Sequence, residues 1–141
     1  MNVGALHHVA IAVPSLADAL PFYAGTLGMR AGEPHLLPDQ DVRAVFLESA
    51  GTRLELIEPV GTASGVARFL AERGRATLHH VCYEVEDLEA ALRELGGSGV
   101  ELIDREPRSG LAGRVAFLHP RSAGGVLVEL LERGPVMGTS E

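Results

Sequence analysis

Two histidines and two glutamates interrupt apolar stretches of this sequence: His8 before Val9-Ala-Ile-Ala-Val13, Glu55 within Leu54-Glu-Leu-Ile57, His80 before Val81-Cys-Tyr83, and Glu129 within Val128-Glu-Leu-Leu131. An ionised glutamate in such a run is costly to bury unless it is paired or coordinated. Two imidazoles and two carboxylates form a mixed nitrogen and oxygen donor set suited to a divalent transition metal, and cobalt, zinc, nickel and manganese are all compatible with it. The carboxylates also suit acid–base work.

These residues recur because the chain repeats itself. His8-Val-Ala-Ile-Ala-Val-Pro-Ser-Leu16 lines up with His80-Val-Cys-Tyr-Glu-Val-Glu-Asp-Leu88, and Ala19-Leu20 with Ala91-Leu92. Arg43-Ala-Val-Phe-Leu47 then matches Arg114-Val-Ala-Phe-Leu118, and Gly51 to Glu58 matches Gly125 to Glu132. Four segments in the same order imply two modules of roughly 70 residues, within the length of a single domain. Module one covers about residues 5–59, a linker 60–77 and module two about 78–133, together one domain over 5–133, with residues 134–141 a flexible tail.

Each module reads as βαβββ. Leu6 to Val13 and Leu78 to Val85 alternate as half-buried strands do. Alternation puts Val9, Ile11 and Val13 on one face and His8, Ala10 and Ala12 on the other, and it separates Val81, Tyr83 and Val85 from His80, Cys82 and Glu84. Ser15 and Asp87 are expected to cap helices, and Pro21 should kink or shorten the first of them. Further strands are expected at Arg43 to Leu47, Leu54 to Ile57, Val115 to Leu118 and Val126 to Leu131, and a short linker helix around Val66, Phe69 and Leu70, stopped by Gly74. The fold class is therefore α+β, two tandem βαβββ modules making a curved mixed sheet around a metal site. If they pair about a pseudo-twofold axis, His8, Glu55, His80 and Glu129 converge. His7 and His79 fall on the opposite faces and His35 and His119 in loops or strand ends, so all four read as structural or surface residues. Cys82 reads as core.

The 141 residues are 46% hydrophobic and 22% charged, which excludes disorder as the main state. A net charge of −7 argues against a basic surface for nucleic acid or anionic membrane. All twelve basic residues are arginines, so lysine Schiff-base chemistry and a phosphate-loop lysine are excluded. One cysteine and no visible signal or membrane-spanning run point to the cytoplasm.

The duplicated modules with His and Glu at these places resemble the vicinal oxygen chelate superfamily of glyoxalases, bleomycin-resistance proteins and extradiol dioxygenases. Leu6-His-His-Val-Ala-Ile-Ala-Val13, Glu55-Leu-Ile-Glu-Pro59, Val66-Ala-Arg-Phe-Leu70, Leu78-His-His-Val81, Glu106-Pro-Arg108 and Phe117-Leu-His-Pro-Arg121 followed by Gly124-Gly-Val-Leu-Val-Glu-Leu130 are similar to its methylmalonyl-CoA epimerase family. The resemblance implies interconversion of (2R)- and (2S)-methylmalonyl-CoA by two-base proton transfer at C2 through a metal-stabilised enolate, with an acyl-CoA as the small-molecule partner and a homodimer as the assembly. Some members carry Gln where this chain has Glu55 and a catalytic Glu at the position aligned with Ala44. Since Ala44 cannot be a base, Glu129 and Glu55 are the expected acid–base pair. Gln40, Arg108, Arg114 and Arg121 are candidate substrate contacts, with Arg43 a further candidate for the coenzyme A phosphates, and Gly110 and Gly113 could present backbone donors. A glyoxalase-type lyase acting on a glutathione hemithioacetal would use the same four ligands. An extradiol dioxygenase fits less well, because Glu55 would crowd its open face, and a metal-free binding protein of the superfamily would have no need of the ligand set.

Overall fold

The computed structural model describes residues 1–134, so the expected tail lies, beyond Gly134, outside the described residues. The chain divides into two compact units, one made of His7–Val81 and the other of Met1–Leu6 with the chain from Cys82 onward.

In the His7–Val81 unit the strand order is β2-β4-β5-β1-β6, where β1 is Leu6–Ala12, β2 Arg30–Ala31, β3 His35–Leu37, β4 Val42–Ser49, β5 Thr52–Pro59 and β6 Thr77–Val85; β3 also pairs with β4. The sheet is mixed: β1 runs parallel to β5 with Ala10 opposite Glu55, while β4 and β5 are antiparallel with Phe46 opposite Glu55. One face carries the core of Val13, Leu16, Val45, Leu47 and Leu56, against which Ile11, Ala19, Leu20 and Tyr23 pack. Strand alternation sends Glu55 and Phe46 to the other face, with His8, Ala10 and Ala12 of β1.

Helix α1, Leu16–Leu20, begins at Ser15, whose hydroxyl accepts the Asp18 N–H at 3.2 Å. The expected effect of Pro21 is visible as shortening. The α-helix lasts five residues, and Pro21–Thr26 continues as a π-helical turn in which the Leu27 N–H reaches back to the Phe22 carbonyl at 2.8 Å. Proline has no N–H to give the α-helical ladder and crowds the preceding turn, so widening the turn accommodates it without ending the rod. The linker helix α2, Gly65–Arg73, buries Val66 and Leu70; it is capped by Ser64 at the Ala67 N–H and stopped by Gly74 in the left-handed region.

The other unit repeats the plan in the order β6-β9-β8-β7, with β7 Arg108–Ser109, β8 Arg114–Leu118 and β9 Val128–Glu132. Strand β6 runs through both units, its first five residues in one and its last four in the other. Helix α3, Leu88–Gly97, starts at Asp87, which accepts the Ala90 N–H at 3.0 Å; the neighbouring Leu88 N–H donates to Glu132 Oε2. Its apolar face joins Val85, Leu88, Ala91, Leu92, Ala116 and Leu130. Cys82 is fully buried with Val115 and Leu131, a core residue as expected. The last strand starts at Val128 and not at Val126, because a 3₁₀ turn at Pro120–Ala123 is followed by Gly124 and Gly125, both at positive φ. That turn needs the left-handed backbone that only glycine takes cheaply.

The hairpins of the two units share one register. Ala44, Val45, Phe46 and Leu47 face Ile57, Leu56, Glu55 and Leu54; Val115, Ala116, Phe117 and Leu118 face Leu131, Leu130, Glu129 and Val128. No helix among the described residues is long and apolar enough to cross a membrane.

Candidate metal centre

Three of the four expected ligands lie in the His7–Val81 unit, where the sheet brings them together. His8, Glu55 and His80 are each only 5% exposed. His8 Nε2 stands 3.2 Å from Glu55 Oε1, and His80 Nε2 stands 3.4 Å from that same oxygen. The two imidazoles meet edge to face with centroids 5.5 Å apart, and Phe46 packs on His8 at 5.1 Å. Their ligand atoms all lie within 4.8 Å of one another.

Donor atoms held at about 2.1 Å from a common ion are separated by about 3.0 Å at right angles and about 3.4 Å at tetrahedral angles. The 3.2 and 3.4 Å separations fall in that window. The residues therefore fit a divalent ion in both donor chemistry and spacing. Burial pushes the Glu55 carboxyl upward, but the hydrogen bonds and positive potential of His8 and His80 outweigh it and hold the carboxyl below its ordinary value of 4.5. It is thus an anion inside a buried pocket of imidazoles.

Glu129 belongs to the other unit. It is 5% exposed on β9 and sits opposite Phe117, as Glu55 sits opposite Phe46. The two carboxylates are register-equivalent.

The remaining candidates are placed as follows. Gln40 lies in the turn after β3, its N–H bonded to the Leu37 carbonyl, and is half-buried. Arg43 is exposed on β4, across from Glu58. Arg114 pairs with Glu132 at 2.9 Å and Glu89 at 3.2 Å, and Arg121, 74% exposed, with Glu101 at 3.1 Å. Arg108 donates from Nε to Asp104 Oδ1 at 3.0 Å, while Asp104 Oδ2 accepts the Phe117 N–H at 2.8 Å. Asp104 is itself buried, so this bridge ties β7 to β8. Replacing Asp104 by Ala leaves a buried N–H and a guanidinium without that acceptor and should lower stability by about 2–3 kcal/mol, read from urea unfolding. The Gly110 N–H is engaged by the Gly113 carbonyl at 2.8 Å, closing the turn between β7 and β8, so it is not the ligand donor that the glycine pair suggested.

Four residues around the site were not marked by the sequence as partners of the ligands. His7 and His79 are not isolated on the opposite faces. Nδ1 of His7 lies 2.8 Å from Nδ1 of His8, and Nδ1 of His79 lies 2.8 Å from Nδ1 of His80. Phe46 packs against His7 as well as His8, and Phe69 of α2 against His79 at 4.9 Å. The signal was present as a His-His doublet at the same place in both repeats. His35 is exposed on β3, and His119 caps the 3₁₀ turn through the Arg121 N–H.

Comparison with known proteins places this geometry among relatives. The model of the Glyoxalase/Bleomycin resistance protein/Dioxygenase superfamily matches residues 7–117. The ethylmalonyl-CoA/methylmalonyl-CoA epimerase of Cereibacter sphaeroides is 43% identical over 130 residues, 91% of this chain and 97% of that protein. Among solved structures, methylmalonyl-CoA epimerase from Mycobacterium tuberculosis aligns with a TM-score of 0.88 at 36% identity, covering 97% of this chain and 93% of that one. A methylmalonyl-CoA epimerase in complex with methylmalonyl-CoA and NH4+ aligns with a TM-score of 0.87 at 30% identity, covering 96% and 98%.

Proposed function

The chain belongs to the glyoxalase/bleomycin resistance protein/dioxygenase superfamily, and on that premise we propose that it is an isomerase interconverting the (2R) and (2S) forms of methylmalonyl-CoA. The observation that carries the proposal is a buried His8–Glu55–His80 donor set in a chain that is 43% identical, over nearly its whole length, to an epimerase of this substrate class.

In this reading the modules act as one domain over residues 5–133, and His8, Glu55, His80 and Glu129 hold a divalent ion, cobalt first. Glu129 is included because it repeats Glu55 in burial and register. A bound divalent ion supplies Lewis-acid polarisation of the thioester carbonyl, which acidifies the neighbouring C–H. The protein's own groups then move the proton. The C2–H bond breaks with its electron pair passing into the enolate, and the proton goes to a carboxylate oxygen on that face. Glu55 suits this role as the buried carboxylate beside His8 and His80. Glu129 returns a proton to the other face, and the net change is inversion at C2 with no atom gained or lost. The arginine-only basic set meets the coenzyme A phosphates, and of its candidates Arg43, Arg114 and Arg121 are exposed. A cytoplasmic homodimer completes the proposal.

The test is solvent deuterium incorporation at C2 of methylmalonyl-CoA, followed by mass spectrometry with and without added cobalt. Incorporation by the cobalt-loaded protein, lost on chelation, is expected. Turnover of a glutathione hemithioacetal without C2 exchange would overturn the assignment in favour of a glyoxalase.

A further inference from the structure

A neutral imidazole carries one N–H and one lone pair, so a histidine that offers Nε2 to a metal must hold its proton on Nδ1. Both candidate ligands have Nδ1 against the Nδ1 of the preceding histidine, at 2.8 Å in each case. Two lone pairs facing each other at that distance would repel; one proton must lie between them. The geometry is the same on both strands. Ring centroids are 5.1 Å apart in each pair, with interplanar angles of 80° and 77°. Each outer ring is itself held by an aromatic wall: His7 by Phe46 at 5.8 Å, and His79 by Phe69, over which Arg73 stacks at 4.7 Å. Arg53 also donates to the His7 carbonyl at 3.3 Å. A duplicated contact with duplicated bracing is not what two surface histidines would show.

We propose that His7 and His79 are positioning residues that accept a hydrogen bond from Nδ1–H of His8 and His80, fixing in each the ring orientation and the tautomer that leaves Nε2 as a metal donor. The alternative direction, with the outer ring donating, puts the proton of His8 and His80 on Nε2 and blocks ligation. The two directions differ by a proton on the ligand atom: with metal bound the doublets favour the form in which Nε2 is a free donor, and without metal Nε2–H faces Glu55. Outer partners of this kind raise ligand basicity and lock ring orientation, and their loss commonly costs 10–100-fold in metal affinity. The inference rests on the metal-binding reading above.

The experiment is a zinc titration against a competing chelator for the wild-type protein and for His7→Leu, His7→Asn, His79→Leu and His79→Asn. Asparagine places a carbonyl oxygen where Nδ1 stood and keeps an acceptor; leucine fills the space without one. The leucine variants should bind zinc about 10–100-fold more weakly, and the asparagine variants within about threefold of wild type. Nitrogen-15 NMR of the zinc-loaded wild-type protein should show His7 and His79 protonated on Nε2, with a scalar coupling across each Nδ1–H···Nδ1 bond. This second readout decides the matter if a leucine variant does not fold. Leucine variants binding as wild type, asparagine and leucine variants weakened alike, or outer histidines protonated on Nδ1 would each overturn the inference. Failure of the wild-type protein itself to bind zinc or cobalt would instead overturn the metal-binding reading.

Discussion

Glu55→Gln is expected to slow interconversion of (2R)- and (2S)-methylmalonyl-CoA by at least about 10²-fold while keeping metal affinity within about tenfold, because a positioned general base contributes about 10²–10⁴-fold. The carboxamide has nearly the volume of the carboxylate, so the pocket of His8, His80 and Phe46 needs no repacking. Its carbonyl oxygen still accepts from an imidazole N–H or binds an ion. What it cannot do is take up a proton at C2. If Glu55 and Glu129 serve opposite faces, the variant should still exchange the C2 proton of one isomer with solvent and fail with the other. Deuterium uptake measured separately from each isomer, beside a chelator-competition titration, reads both halves. Near-normal epimerisation by the Gln variant would sink the assignment of Glu55 as a base.

His80→Ala should have the largest combined effect, losing at least about 10³-fold in metal affinity together with catalysis, since a ligand is removed and not merely its support. The metal-free protein should suffer too. His80 is one of two imidazoles holding Glu55, and without it a buried carboxylate keeps only His8. With the cavity added, the cost should be about 2–4 kcal/mol. The pH dependence has a definite sign. In the wild-type protein the Glu55 carboxyl is held below 4.5, so it contributes stability that is present above that value and is lost as pH falls through the lower folded-state value. In the variant burial acts with less opposition, the carboxyl moves up, and that contribution shrinks. Urea unfolding of the metal-free proteins should show the variant weaker at pH 7, with its deficit narrowing toward pH 4 as the wild-type protein loses the contribution of the ionised Glu55. Equal stabilities would mean that His80 does not hold Glu55.

Much of this was legible in the residues because it is local or repeated. Strand alternation placed Ile11 and Val13 on the helix side and His8, Ala10 and Cys82 on the other, and the buried faces follow it. The four-segment repeat anticipated the shared register that puts Glu55 and Glu129 opposite equivalent phenylalanines. Caps at Ser15 and Asp87 and the stop at Gly74 could be read from side chains that bond their own neighbouring backbone.

Other features depended on packing. Pro21 announced a disturbance, but whether the helix would end, kink or widen into a π turn and continue could be seen only in the structure. The arginines were read as candidates for the coenzyme A phosphates, and the structure adds that Arg108 bonds Asp104 while Arg114 and Arg121 make surface pairs with carboxylates. Alternation alone assigned His7 and His79 away from the site, because it fixes where a Cβ points and leaves the ring torsions free.

By itself, then, the sequence determined the donor types, their repeat-related spacing and the faces of the strands that carry them, since period-two geometry and the duplication are written in one dimension. The tertiary structure decided that His8 and His80 meet on a single oxygen of Glu55 and that each is backed by its neighbouring histidine. Those contacts arise from pairing strands far apart in the chain and from aromatic walls that select one ring orientation, and neither is encoded in residue spacing.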